Sequence, residues 1–311
     1  MYYDLNVPWS PDSSELPRIA AFLHELGYNT IALTHTLEGQ IPAKPINPIP
    51  TNPFPSLPFL RVLTRCTLIL DDPSQMQKLG LLTPIYDIVA IRPTNEKLLL
   101  TTCSQLEHVD LISLDFGARL PFLLKYKVLG TAIARGLKFE VSYAGLATGD
   151  IAVRRNLIGN AVSLVRALRG AKGGGVVVSS EAKKAAAARA PMDVINIAGL
   201  WGYGGERGRN GIGGESRAVV VWAEMRRRSW RGVVDVVGLG EVPRVIEVVG
   251  GQKRKRNAEE EAAGKGPGNG GEKEEKGGKM QKQQEQRQGQ EGKKKRKKGG
   301  GGVDSQDIPN T

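Results

Sequence analysis

Short β-rich runs alternate with helical periods through the first 200 residues, and this alternation limits the possible folds more than any other feature. The runs are YYDLNV (2–7), NTIALTH (29–35), RVLTRCTLIL (61–70), YDIVAIRP (86–93), DLISLDF (110–116), KFEVSYA (138–144), GVVVSS (175–180) and DVINIA (193–198). Between them lie amphipathic stretches. ELPRIAAFLHELG sets Leu16, Ile19, Phe22, Leu23 and Leu26 on one face and stops at Gly27; NLIGNAVSLVRALRG repeats the pattern with Leu157, Ala161, Leu164, Val165 and Leu168 and stops at Gly170. Parallel strands need crossovers, so this order predicts an α/β protein with a parallel sheet. Eight runs predict a (β/α)₈ TIM-like barrel, with a doubly wound open sheet as the alternative.

The chain changes character near Gly250. Residues 251–311 hold 16 Lys and Arg against 10 Asp and Glu and almost no large apolar residues. Such a segment cannot bury enough apolar surface to offset its ordering entropy, which predicts a barrel domain over 1–250 (core 1–200) and a disordered basic tail over 251–311. The net charge is +12, and the first 250 residues keep 28 basic and 22 acidic side chains, so both parts favour an anionic partner, nucleic acid above all.

Two segments break the alternation. IPAKPINPIPTNPFPSLP (41–58) carries seven prolines where a crossover helix would stand, so it is expected to be an extended surface strap. GLWGYGGERGRNGIGGES (199–216) lacks the position and fingerprint of a phosphate loop and is expected to be a flexible loop. SRAVVVWAEMRRRSWRGVV (216–234) is expected to pack back on the barrel. No run reaches the 18 apolar residues of a membrane span, and MYYDLNVPW lacks the pattern of a signal peptide. Cys66 and Cys103 have no CxxC spacing, which argues against a disulfide framework or zinc site and fits a reduced intracellular compartment.

Active sites of such barrels lie at the C-terminal strand ends. There the sequence places Asp4, Asn6, His35, Asp71, Asp72, Arg92, Thr94, Asn95, Asp115, Arg119, Ser142, Tyr143, Ser179, Ser180 and Asn196. A multinuclear metal centre needs clustered histidines and carboxylates, yet of His24, His35 and His108 only His35 falls at the right end. Hard-metal binding by Asp4, Asp71, Asp72 or Asp115 stays open. No GxSxG occurs, neither cysteine has a matched histidine, and Ser179 and Ser180 are expected to cap a helix over EAKKAAAARA.

The cations say more. Arg154 and Arg155 stand in the first turns of a helix, where they oppose its dipole, and a bound phosphate would relieve that conflict. With Arg92, Asn95, Lys97, Arg119, Lys125 and Lys127 they form a candidate RNA-binding set near strand-to-helix junctions. Asp115 is expected to end a strand and clasp Arg119, and to accept backbone amides of the next turn. In the tail, KRKR (Lys253, Arg254, Lys255, Arg256) and KKKRKK (Lys293, Lys294, Lys295, Arg296, Lys297, Lys298) are candidate nuclear-import signals.

The ordered segments YYDLNVP, LTRCTLILDD, YDIVAIRPTNEKLL, DLISLDFGARLPFLLKYKVLGTAIARGLKFEVSYA, RRNLIGNAVSLVRALRG, VVVSSEA and DVINIAGL resemble the TIM-barrel protein subunit of nuclear and archaeal ribonuclease P, shared with RNase MRP in eukaryotes. The resemblance spans roughly residues 1–200. It implies a barrel of the PHP phosphoesterase type that has lost its metal centre: Asp4 and Asn6 stand where that type has His-x-His. It further implies a non-catalytic subunit that binds no cofactor itself. The RNA would be the catalyst, using magnesium ions to remove the 5′ leader from precursor tRNA. The implied partners are the RNase P and MRP RNAs, a small ferredoxin-like subunit and the other proteins of the complexes, in the nucleus and nucleolus, with rRNA processing as the second task. Two rivals remain: a stand-alone PHP-like metal-dependent phosphoesterase, and a nucleic-acid-binding protein driven by its tail.

Overall fold

The computed structural model describes residues 1–168, 174–230 and 234–235. Seven parallel strands follow one another around a nearly closed sheet: β1 (Tyr3–Pro8), β2 (Thr30–Leu37), β3 (Arg61–Leu70), β4 (Ile88–Pro93), β5 (Leu111–Ser113), β6 (Lys138–Ser142) and β7 (Val176–Ser179). Each strand pairs only with its neighbours in sequence, as repeated βα units require. The ring is drawn together between β1 and the end of β7, where the Glu181 N–H donates to Asn6 O at 2.8 Å and the Ser180 N–H to Asp4 Oδ1 at 3.0 Å.

Helices α1 (Leu16–Glu25), α2 (Glu96–Ser104), α3 (Tyr126–Ala134), α4 (Ala144–Thr148), α5 (Ile151–Leu168) and α6 (Pro191–Leu200) fill the connections; α7 (Glu206–Ile212) and α8 (Gly214–Arg228) follow. A short antiparallel pair, β8 (Ser229–Trp230) with β9 (Val234–Asp235), comes last. No helix among the described residues is long and apolar enough to cross a membrane.

The eighth expected strand is a helix: DVINIA lies within α6, so the barrel has seven strands. Pro191 at the helix start supplies a preset φ, and Val194, Ile195 and Ala198 recur at helical spacing toward the core. In a short apolar run strand and helix patterns coincide, and the proline just upstream is the deciding signal. EAKKAAAARA likewise forms no α-helix, only a 3-10 turn at Ala185–Ala187. Ser180 Oγ instead accepts the Ala182 N–H at 3.2 Å.

The strap over 41–58 has neither strand nor helix, and it lies against the molecule through Ile41, Ile49 and Phe54, which are buried, the last two beside Leu16 and Ile19 of α1. It takes the place of the missing crossover helix between β2 and β3.

The glycine-rich segment is not a flexible loop. It contains α7, with Trp201 and Tyr203 buried at its entrance. A Cβ on Gly208 would come within 2.9 Å of Tyr203 O, and one on Gly211 within 3.2 Å of the Tyr203 ring and Val178. These glycines permit close helix packing against α6 and β7.

Alternate strand residues point inward: Leu5, Ala32, Leu63, Ile88, Ala90, Leu111 and Val177 fill the lower barrel. Helix α8 seals that end with Val219, Val220 and Ala223, as the segment was expected to pack back. Arg226 and Arg227 fasten it to Asp110, at 3.4 and 2.7 Å, and Glu224 pairs with Arg61 at the start of β3. With the N-terminal end plugged, the barrel interior can be approached from its C-terminal end.

Candidate nucleic-acid interface

Above the apolar plug the barrel interior is polar. Arg65 and Glu140 face each other fully buried, with Arg65 Nη1 and Nη2 donating to the two carboxylate oxygens at 2.5 and 2.6 Å. Arg65 also donates to Leu5 O and Thr67 Oγ1, while Glu140 accepts from Ser179 Oγ at 2.7 Å and Asn6 Nδ2 at 3.3 Å. Burial alone would raise the Glu140 carboxyl; the Arg65 guanidinium and the hydrogen bonds from Arg65, Ser113 and Ser179 bring it below its usual value. Both carboxylate oxygens are matched by donors, which is how a buried ion pair is tolerated; removing one partner of such a pair costs about 3–5 kcal/mol. The sequence carries a signal for the pair: each residue is a charge in the middle of an otherwise apolar strand, on the inward parity.

The carboxylates weighed as metal ligands lie in separate surroundings. Asp4 is buried, and Oδ1 accepts the N–H groups of Asn6 and Ser180 at 3.2 and 3.0 Å, while Oδ2 has no partner. Burial pushes its carboxyl up to about 6. Asp72 caps the 3-10 helix Pro73–Leu81 through the Ser74 N–H at 2.9 Å, and the N–H groups of Asp71 and Asp72 bind Gln75 Oε1. His35 Nδ1 lies 2.8 Å from Tyr86 Oη, with desolvation lowering its pKa. No group of three or more His, Cys, Asp or Glu converges among the described residues. Cys66 and Cys103 are buried and free, and burial pushes both thiols up to about 12.

Arg92 ends β4 inside the mouth and donates to Glu181 Oε1 at 3.0 Å and Ser113 Oγ at 3.3 Å. Beside it a cavity of about 380 Å³ opens between the ends of β5, β6 and β7, walled by Asp115, Gly117, Ser142 and Glu181. Asn196, on α6, is exposed and belongs to no strand end.

Asn95 caps α2 with its Oδ1 accepting the Leu98 N–H at 2.9 Å, so that oxygen is spent on the helix. Lys125 reaches Glu96 at 2.8 Å with both side chains about half exposed, a contact of small net worth. Lys97, Arg119, Lys127, Arg154 and Arg155 are exposed and form no ion pair among the described residues. The expected Asp115–Arg119 clasp is therefore absent among the described residues. Both side chains are exposed past the end of β5 at Ser113, and Asp115 Oδ1 accepts the Gly117 N–H at 3.0 Å, the backbone role expected of it. The loop is held from α5 instead. Asn156 Nδ2 donates to Gly117 O, and Asn160 Nδ2 to Phe116 O and Ala118 O, at 2.8 to 3.1 Å. The two asparagines stand four apart on one helix face, a spacing visible in the sequence and missed there.

These junctions all leave the same end of a parallel sheet. Lys97 follows β4, Arg119 and Lys127 follow β5, and Arg154 and Arg155 follow the helix that leaves β6. Asp150 caps α5 by accepting the Val153 N–H at 2.8 Å, which leaves the two arginines free to point to solvent, apart from a 3.5 Å approach of Arg154 to Ala147 O. Lys125 and Lys127 also border an open groove of about 740 Å³ with Tyr126 and Arg166. The import candidates at 253–256 and 293–298, the tail boundary and Gly170 lie outside the described residues.

The profile of the family described as RNase P subunit p30 matches residues 1–228. The chain is 38% identical over 238 residues to the probable ribonuclease P protein subunit 3 of Schizosaccharomyces pombe, covering 76% of this chain and 99% of that one. It is 31% identical to the ribonuclease P/MRP protein subunit RPP1 of Saccharomyces cerevisiae, over 81% and 90% of the two chains. To the mouse ribonuclease P protein subunit p30 it is 32% identical, over 76% and 90%. A chain in the cryo-EM structure of archaeal ribonuclease P with mature tRNA shares the fold, with a TM-score of 0.58 at 14% identity over 76% of this chain and 98% of that one. With its seven-stranded, plugged barrel matched from the first strand through α8, the chain belongs to the RNase P subunit p30 family.

Proposed function

We propose that the protein is a non-catalytic subunit of the ribonuclease P and RNase MRP ribonucleoproteins, and that it binds RNA through the rim of cations at the C-terminal end of its barrel. The observation that carries the binding face is the set Lys97, Arg119, Lys127, Arg154 and Arg155, exposed at one end of the sheet without ion pairs among the described residues. Unpaired cations are destabilising neighbours for one another, and phosphates relieve them while releasing counterions. In this reading the RNA performs the cleavage of precursor tRNA with magnesium ions held by the RNA. A small ferredoxin-like subunit and other proteins pack against the barrel. The complex works in the nucleus and nucleolus, with rRNA processing as the MRP task.

The test is reconstitution of the holoenzyme with Arg119→Ala/Arg154→Ala/Arg155→Ala. Precursor-tRNA binding or subunit incorporation should weaken, with a salt slope shallower by roughly one for each phosphate no longer neutralised, while circular dichroism stays unchanged. Unaltered assembly, processing and salt slope would remove these arginines from the interface.

A further inference from the structure

The mouth cavity beside Arg92 is not used by the cationic rim. It measures about 380 Å³, near the lower end of the range for small-ligand sites and far too small for a helix. The buried side chains of Phe116 and Leu157 contribute its apolar lining; Ser142 and Glu181 are half-buried in its wall, and Lys183 and Lys184 are exposed at its edge.

Three features point to an occupant. Ser142 Oγ is buried with no hydrogen-bond partner, and so is Arg92 Nε behind Glu181. A polar atom left so in a folded protein is costly. Glu181 holds a left-handed backbone, φ 55°, that a non-glycine residue adopts at a cost, and it is kept there by its N–H to Asn6 O and its carboxylate on Arg92. The wall at Phe116 and Gly117 is the loop that Asn156 and Asn160 pin to α5, and the exposed Arg119 lies two residues beyond Gly117 on that loop.

We propose that this cavity takes one unpaired nucleotide of an RNA strand lying on the cationic rim. Its apolar lining receives the base, Glu181 and Ser142 bind the base edge, and Lys183 and Lys184 hold the flanking phosphate. Mixed charge suits this ligand better than a bare anion, because carboxylates accept from base amino and imino groups while lysines neutralise phosphate.

The inference rests on the proposed RNA-contacting role, and ultraviolet crosslinking of the assembled ribonucleoprotein followed by peptide mass spectrometry separates the two. The expected result is nucleotide adducts on the peptides around Phe116 or Lys183, in addition to those on the Arg119 and Arg154 peptides. Lys183→Glu/Lys184→Glu, which changes only exposed side chains, should lower the mouth adducts roughly tenfold and leave the rim adducts in place. Rim adducts without mouth adducts, or mouth adducts indifferent to the double variant, overturn the nucleotide site alone. Absence of adducts anywhere on the chain overturns the RNA-contacting role and this site with it.

Discussion

At the scale of single residues, Asp4 shows how the barrel trades stability for closure. Its Oδ1 ties β1 to β7 through the Ser180 N–H, yet Oδ2 is buried without a partner and burial raises the carboxyl to about 6. A pKa raised on folding means the folded state holds the proton more tightly. The resulting stability is fully present below the unfolded value of about 3.8 and is lost as pH rises through 6. Asp4→Asn keeps the Oδ1 acceptor and removes the charge. The difference in unfolding free energy between the two proteins should grow in favour of the variant between pH 4 and pH 7, reaching at most about 3 kcal/mol. Urea melts at several pH values check it, and a difference independent of pH contradicts the account. The sequence alone sets Asp4 among the C-terminal strand ends and leaves it open as a metal candidate, whereas it is the second residue of β1 and fully buried. Its hydrogen-bond duty is hidden there because the Ser180 N–H lies 176 residues away along the chain.

At the scale of elements, legibility follows whether a signal is local. Helix α1 is readable because its apolar period, its Pro17 and its terminal glycine agree, and Gly27 does adopt a left-handed φ of 95°. The seven strands are readable as short β-rich runs between the helical periods. Two elements escape for different reasons. DVINIA is apolar enough to be a strand, and the deciding signal, Pro191 at the start of α6, lies just outside the run. The glycines of α7 look like flexibility but serve contact. This gives a paired expectation. Gly208→Ala should cost about 1–3 kcal/mol, because its Cβ meets Tyr203 O and the Ile195 backbone. Gly159→Ala, in the middle of α5 with open space around it, should stabilise by about 0.5–1 kcal/mol. Thermal melts that move both variants the same way would show that packing is not what those glycines serve.

At the scale of the whole molecule, the two ends of the barrel have different jobs. The N-terminal end is sealed by α8, whose Arg226 and Arg227 are spent on Asp110 and on backbone carbonyls of residues 83, 86 and 109. At the C-terminal end Arg92 is held by Glu181, while Lys97, Arg119, Lys127, Arg154 and Arg155 stay exposed. Net positive charge alone could not tell these groups apart: Arg226 and Arg227 look as available in the sequence as Arg154 and Arg155, and only the fold separates structural cations from those left for a partner. If this second group holds RNA, the RNA that travels with the protein identifies the complex it serves. The most direct measurement is a tagged pull-down of the full chain from cell extract, with the copurifying RNA sequenced and the eluate assayed on precursor tRNA. The account predicts recovery of the RNase P and MRP RNAs together with 5′-leader cleavage; recovery of no discrete RNA and no cleavage would contradict it.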